Sequence, residues 1–175
     1  LRQFVQVVKP DLISYDHYSL YTDDDEGANL HEGNTYFMNL ALVREAALDG
    51  GIPFINVVEA VSVGERHRVP NSDESRYLAY TTLAYGGQGI MHFTYWAYSD
   101  FYGGISEFED VEWNAERAAT DAAAPLTELG ETLGQIHPEF VAVAQQLQPL
   151  TSLAVYHSGQ MPVGAWAVDA LPADA

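Results

Sequence analysis

Apolar and polar positions along this chain switch between a helical and a strand period. Leu1, Phe4, Val5 and Val8 share one helical face, and Pro10 ends that helix. Residues 11–15, Asp-Leu-Ile-Ser-Tyr, then read as a strand. A polar loop from Ser19 to Gly33 carries Asp23-Asp24-Asp25-Glu26. Asn34 is placed to cap a helix running to about Leu48, with Phe37, Leu40, Val43 and Ala47 as its apolar stripe and Gly50-Gly51 as its stop. Residues 52–58 are nearly all apolar, the pattern of a parallel strand covered on both faces. A charged loop, Gly64-Glu65-Arg66-His67-Arg68, comes next. Asn71 and Glu74 have capping-box spacing for a helix from about Asp73 to Tyr85, which Gly86-Gly87 end. Residues 89–95 read as a third strand, and Tyr98 to Val111 as an aromatic, glycine-bearing loop. Asn114 starts an alanine-rich helical stretch interrupted at Pro125 and near Pro138, and Thr151 to Ser158 reads as a last strand.

Strands that alternate with helices imply parallel pairing through crossovers. Three such units do not close an eight-stranded barrel, which takes about 250 residues. Two architectures fit: an open three- or four-stranded α/β sheet, or the last part of a barrel whose first strands lie outside this chain.

Composition narrows the function. Twenty-five acidic residues face seven basic ones, of which only Lys9 is a lysine, for a net charge of −18. That balance excludes nucleic acid and anionic membranes as expected partners. An acidic, nearly lysine-free surface resembles that of proteins from salt-loving organisms, where salt screens the repulsion between hydrated carboxylates and from which the chain would be secreted; the alternative reading is an ordinary acidic secreted protein. With no cysteine, the chain has no disulfide, thiolate nucleophile or cysteine-ligated metal. No apolar run approaches the roughly 20 residues of a membrane span, and no signal peptide is visible.

The candidate chemistry sits at strand ends. Asp16, His17 and Tyr18 follow the first strand, Glu59 ends the second, and Tyr95 and Trp96 end the third. From Asp16 to Glu59 is 43 residues and from Glu59 to Trp96 is 37, each enough for one strand–helix unit. In β/α barrels the active site lies at this end of the strands. A carboxylate facing a sugar can act as nucleophile or base, aromatic faces suit sugar C–H faces, and Asp and His can bond hydroxyls. Each residue also has a plainer reading: Glu59 as the start of a solvated loop, Asp16-His17-Tyr18 as turn residues, Tyr95 and Trp96 as a plug. His92, inside an apolar strand, reads as a satisfied core histidine. Arg66-His67-Arg68 reads as surface or as a contact for an anionic group. The six histidines show no metal-ligand spacing, Asp23–Glu26 lacks the pattern of a calcium loop, and no phosphate-binding glycine loop precedes a helix. The expectation is no metal and no cofactor.

Several of these stretches together resemble a known family. Pro10-Asp11-Leu12-Ile13-Ser14-Tyr15-Asp16-His17-Tyr18 resembles the sixth-strand segment of β-galactosidase-type barrels, and Gly51-Ile52-Pro53-Phe54 up to Glu59 their seventh strand. Tyr77-Leu78-Ala79-Tyr80 through Gly86-Gly87-Gln88-Gly89-Ile90 to Phe93-Thr94-Tyr95-Trp96 is similar to their seventh helix and eighth strand. Leu129-Gly130 to Phe140 resembles the closing helix, and Val155-Tyr156-His157-Ser158-Gly159 the first residues beyond the barrel. The group so resembled is the clan of retaining (β/α)8 glycoside hydrolases, near the family 42 β-galactosidases.

The resemblance implies an α/β fold that is part of a TIM barrel, with strands six to eight and their helices. Residues 1–148 would be the barrel portion, and residues 149–175 the start of a C-terminal β segment or a tail. It implies hydrolysis of a poly- or oligosaccharide, with Glu59 as nucleophile and Asp16, His17, Tyr18, Tyr95 and Trp96 lining the sugar site. The clan's acid/base Glu ends strand four, so its position would lie outside this chain. A partner chain or self-association would then complete the barrel. The alternative expectation is a non-catalytic carbohydrate-binding or scaffold fragment, and a weaker one is a barrel enzyme for a small polar metabolite.

Overall fold

A computed structural model describes residues 1–22, 35–64, 66–97, 101–107 and 125–158. The expected acidic loop Asp23–Glu26, the Asn34 cap and the alanine-rich stretch after Asn114 fall outside them, as do residues 159–175. The described elements run α1 (Arg2–Val8), β1 (Ile13–Asp16), α2 (Tyr36–Gly50), β2 (Phe54–Glu59), β3 (Val61–Val63), α3 (Ser72–Ala84), β4 (Gly89–Phe93), β5 (Phe101–Gly103) and α4 (Glu128–Leu147).

The described residues form a mixed α/β fold. β1, β2 and β4 form a parallel sheet with β2 in the middle, and β3 pairs antiparallel with β5 in a separate ribbon. The described residues do not close a barrel. Among them, no helix is long and apolar enough to cross a membrane.

Register explains which side chains are hidden. Ile13 lies level with Phe54, Tyr15 with Asn56, and Asn56 with Ile90, so these residues share one face. Against it pack Phe37, Leu40, Ala41 and Val43 of α2 and Leu78 of α3. Burying a side chain such as Leu40 is worth about 1.5–3 kcal/mol. The other face carries Ser14, Asp16, Ile55, Val57, Met91, Glu59 and Phe93. Ser14 and Asp16 are exposed there, Ile55 and Val57 are half-buried, and Met91 is 53% exposed. The apolar run of β2 predicts cover on both faces, whereas the described elements pack their core against one.

Local chemistry sets the element ends. The Asn71 side chain accepts from the Glu74 N–H while Glu74 accepts from the Asn71 N–H, which completes the expected capping box. α2 stops at Gly51, whose φ of 64° only glycine adopts freely.

Four expectations fail locally. α4 runs through Pro138 instead of breaking there. Leu133, Ile136 and Phe140 are buried on both sides of it. Their burial, at about 1.5–3 kcal/mol each, exceeds the ~3 kcal/mol penalty of an internal proline. Residues 151–158 form no strand, yet they pack: Val155 is in the core, Arg44 bonds Ser152, and the Tyr85 hydroxyl meets Nε2 of His157 at 2.9 Å. The ribbon of β3 and β5 occupies what reads as loop, because three-residue strands that pair across 40 positions leave no local periodicity. Of the α1 stripe, only Val5 is buried, while Leu1, Phe4 and Val8 are exposed.

Candidate active site

Ligands of parallel α/β sheets bind beyond the carboxyl ends of the strands. β2 ends there on Glu59, level with Phe93 of β4. Asp16 of β1 is level with Val57, two residues earlier on the same face. Asp16, Glu59 and Phe93 therefore face one side of one sheet end.

The Glu59 side chain has no exposed surface. Its Oε1 accepts the N–H groups of Ser19 at 3.0 Å and Leu20 at 3.1 Å. Two successive N–H groups aimed at one oxygen favour negative charge. They are held there because the loops after β1 and β2 pair. The Thr22 N–H donates to the Arg66 carbonyl, the Arg68 N–H donates to the Leu20 carbonyl, and Tyr21 bridges His67. Oε2 accepts no hydrogen bond among the described residues. It lies 3.9 Å from Nδ1 of His67.

Burial pushes the Glu59 carboxyl up to about 7. The Ser19 and Leu20 N–H groups and the Arg68 charge pull it down, Glu74 pushes it up, and burial wins. The group is thus poised between carboxylate and carboxylic acid near neutral pH, as acid–base and nucleophilic chemistry require.

Tyr18 is brought to this carboxyl. Its ring stacks on Phe93 at 6.1 Å and meets His67 edge-on at 6.0 Å. Burial, followed by the charges of Asp16 and Glu59, pushes its phenol up to about 12. The O–H therefore stays a donor at neutral pH.

His17 is turned toward α2. Its Nε2 is 3.4 Å from Thr35 Oγ1 and its Nδ1 is 3.3 Å from Asn39 Nδ2. Tyr95, 44% exposed, meets Trp96 edge-on at 5.2 Å on the loop after β4. That loop is fixed by the Ile105 and Ser106 N–H groups, which both donate to the Tyr95 carbonyl. The structure thus gathers Asp16, Tyr18 and Glu59, sends His17 to the helix side, and sets Tyr95 and Trp96 on a neighbouring loop.

Comparison with family models, with curated proteins and with solved structures gave no match. The chemistry of the site carries the functional reading.

Three contributors escape the sequence pattern: Tyr21, His67 and Arg68. The run Arg66-His67-Arg68 reads as surface or as a contact for an anionic group. Yet His67 packs on Tyr21 at 4.5 Å beside Glu59, and Arg68 forks onto both Glu74 oxygens. Arg68 also donates from Nε to the Tyr21 carbonyl at 3.2 Å. Its hydrogen bond holds the Glu74 carboxyl below the usual range. The capping-box spacing reveals Glu74, and an arginine six residues before it is the one available hint of the fork. His92 is half-buried rather than part of the core, its Nε2 2.9 Å from Nε2 of His137. Among the described residues, no three His, Cys, Asp or Glu side chains gather as a metal site.

Proposed function

We propose that this chain supplies strands six to eight of a retaining (β/α)8 glycosidase barrel acting on a poly- or oligosaccharide, with Glu59 as nucleophile. The observation that carries this reading is the asymmetry of the Glu59 carboxyl. One oxygen is clamped by the Ser19 and Leu20 N–H groups and the other is buried without a hydrogen bond among the described residues, at the carboxyl end of a central parallel strand. That second oxygen is the one to attack an anomeric carbon. Tyr18 and Phe93 supply apolar ring surface beside it, and Asp16, exposed on the same face, suits a sugar hydroxyl.

The sheet supports the barrel half of the proposal. A parallel sheet is normally covered on both faces. Here Ile55, Val57 and Met91 stand on a face left open among the described residues, where a barrel would place its packed interior. Strands β1 and β4 also present edges that no described strand pairs with, which further parallel strands would cover. On this reading the acid/base carboxyl comes from strand four, about 5–5.5 Å from Glu59 as retention requires.

A second reading is non-catalytic: with its carboxyl pushed up to about 7, Glu59 is a partly protonated structural group beneath a carbohydrate-binding rim. Comparing Glu59→Gln with the parent on a panel of aryl glycosides separates the two. The glycosidase reading expects a rate loss of at least 1,000-fold, roughly the 4 kcal/mol of a lost covalent route. Equal rates remove Glu59 from the mechanism.

A further inference from the structure

At the opposite end of the sheet from Glu59, a cavity of about 390 Å³ opens between the C-terminal turns of α2 and α3 and the segment after α4. Its wall includes Arg44, which is only 9% exposed. A guanidinium does not lose its proton in a protein, so its charge is buried with it. Burying an uncompensated charge is costly unless a counter-charge comes in.

The chain provides none at this point among its described residues. Arg44 donates from Nε to Ser152 Oγ at 3.3 Å and from Nη2 to the Ser152 carbonyl at 3.0 Å, and it has no ion pair among them. The neighbouring carboxylates Glu45 and Asp49 are both engaged by Arg2. Ser152 therefore occupies the side-on edge of the guanidinium. Among the described residues, none bonds the end-on edge, formed by Nη1–H and the outer Nη2–H. Two parallel N–H groups on that edge match the two oxygens of a carboxylate. Gln88, Gln148 and Thr151 line the same cavity and bring amide and hydroxyl groups for the rest of a ligand.

The geometry points to a second binding site here, for a small polar carboxylic acid held end-on by Arg44. It is separate from the Glu59 site and does not depend on what Glu59 does. In a chain of net charge −18, a buried arginine fork also selects a compact, desolvated anion over the acidic surface of another protein.

The test titrates the full chain with sodium acetate and with sodium gluconate at ionic strength held constant by sodium chloride. The readouts are the Arg44 Nε–H resonance and the thermal midpoint. The expected result is a saturable shift of that resonance with a carboxylate and a rise in midpoint. Arg44→Met should weaken the response at least tenfold, and so should Arg44→Lys, which keeps the charge and loses the fork. The wild-type resonance needs no variant to fold. Absence of saturation with both carboxylates overturns the site. An equal response to sulfate at matched ionic strength overturns the carboxylate class. An unchanged response in a folded Arg44→Met overturns the residue and leaves Arg44 as a tether for Ser152.

Discussion

Glu59 Oε2 stands 3.9 Å from Nδ1 of His67, while Oε1 of the same carboxyl is held by two backbone N–H groups. The two oxygens are therefore not equivalent. Oε1 faces only donors, so a proton on this group resides on Oε2. Losing that proton leaves a carboxylate oxygen that accepts no hydrogen bond from the described residues. On the proposed reading, the arrangement fixes the direction of attack and ties reactivity to pH.

That tie has a stability consequence of definite sign. A folded-state pKa of about 7 lies above the 4.5 of an ordinary glutamate, so the folded chain holds a proton that the unfolded chain has released. Glu59 then contributes stability that is fully present below about 4.5 and lost as pH rises to about 7. The loss is about 3 kcal/mol at its limit. Urea unfolding of wild type and Glu59→Gln at pH 4 and pH 8 should show the variant gaining roughly that amount at the higher pH only. A constant difference between the two pH values contradicts the buried-carboxyl account.

The same proton separates nucleophile from acid. As nucleophile Glu59 must be ionised, so the rate on aryl glycosides should rise with pH through about 7. A rate that falls through this range assigns Glu59 the acid's role instead. Because the Arg68 charge pulls the Glu59 carboxyl down, Arg68→Gln should move the acidic limb to higher pH. An unmoved limb means that Arg68 does not act on Glu59.

His92 and His137 carry the opposite pH dependence. Burial, with His137 beside it, pushes His92 down to about 4, and burial pushes His137 down as well. The charged neighbours on α3 and α4, Arg76 and Glu139, are paired with each other. The neutral pair contributes stability that is fully present above about 6.5 and lost as pH falls toward 4. Between pH 7 and pH 4, wild type should lose about 2 kcal/mol more than His92→Gln does. Hydrogen exchange in α4 should rise in step. Equal losses would show that the pair does not titrate with unfolding.

Two glycines of α4 should respond in opposite directions to alanine. A Cβ on Gly130 would lie 2.0 Å from the Ile105 carbonyl oxygen, so the helix start or the loop must move. Gly130→Ala should cost about 1–3 kcal/mol. A Cβ on Gly134 meets nothing within 4 Å, so Gly134→Ala should stabilise by up to about 1 kcal/mol through helix propensity. Thermal midpoints of the two variants check the pair.

Local signals were legible in the sequence. The Asn71–Glu74 capping box, the Gly51 stop and the apolar run ending at Glu59 all act within a few residues, and the structure keeps each of them. The features that eluded the sequence were built from distant partners. The β3–β5 ribbon joins Ser62 to Tyr102, and the pairing of Leu20–Thr22 with Arg66–Arg68 draws two loops over Glu59. No periodicity reports such contacts. His17 shows the limit at a single residue: its place after a strand is legible, but its turn toward Asn39 depends on where α2 begins. Pro138 shows the other limit, where burial on both sides outweighs a helix breaker.

Covalent trapping asks whether the Glu59 carboxyl is a nucleophile. The probes are dinitrophenyl glycosides that carry fluorine beside the anomeric carbon, offered as a panel of common sugars. Dinitrophenolate leaves without a general acid, so the outcome does not depend on the strand-four carboxyl. In the step tested, Glu59 Oε2 bonds to the anomeric carbon as the bond to dinitrophenolate breaks. The account predicts one fluorosugar adduct per chain, on the peptide containing Glu59 and absent from Glu59→Gln. An adduct on another residue, or none from any sugar of the panel, contradicts it.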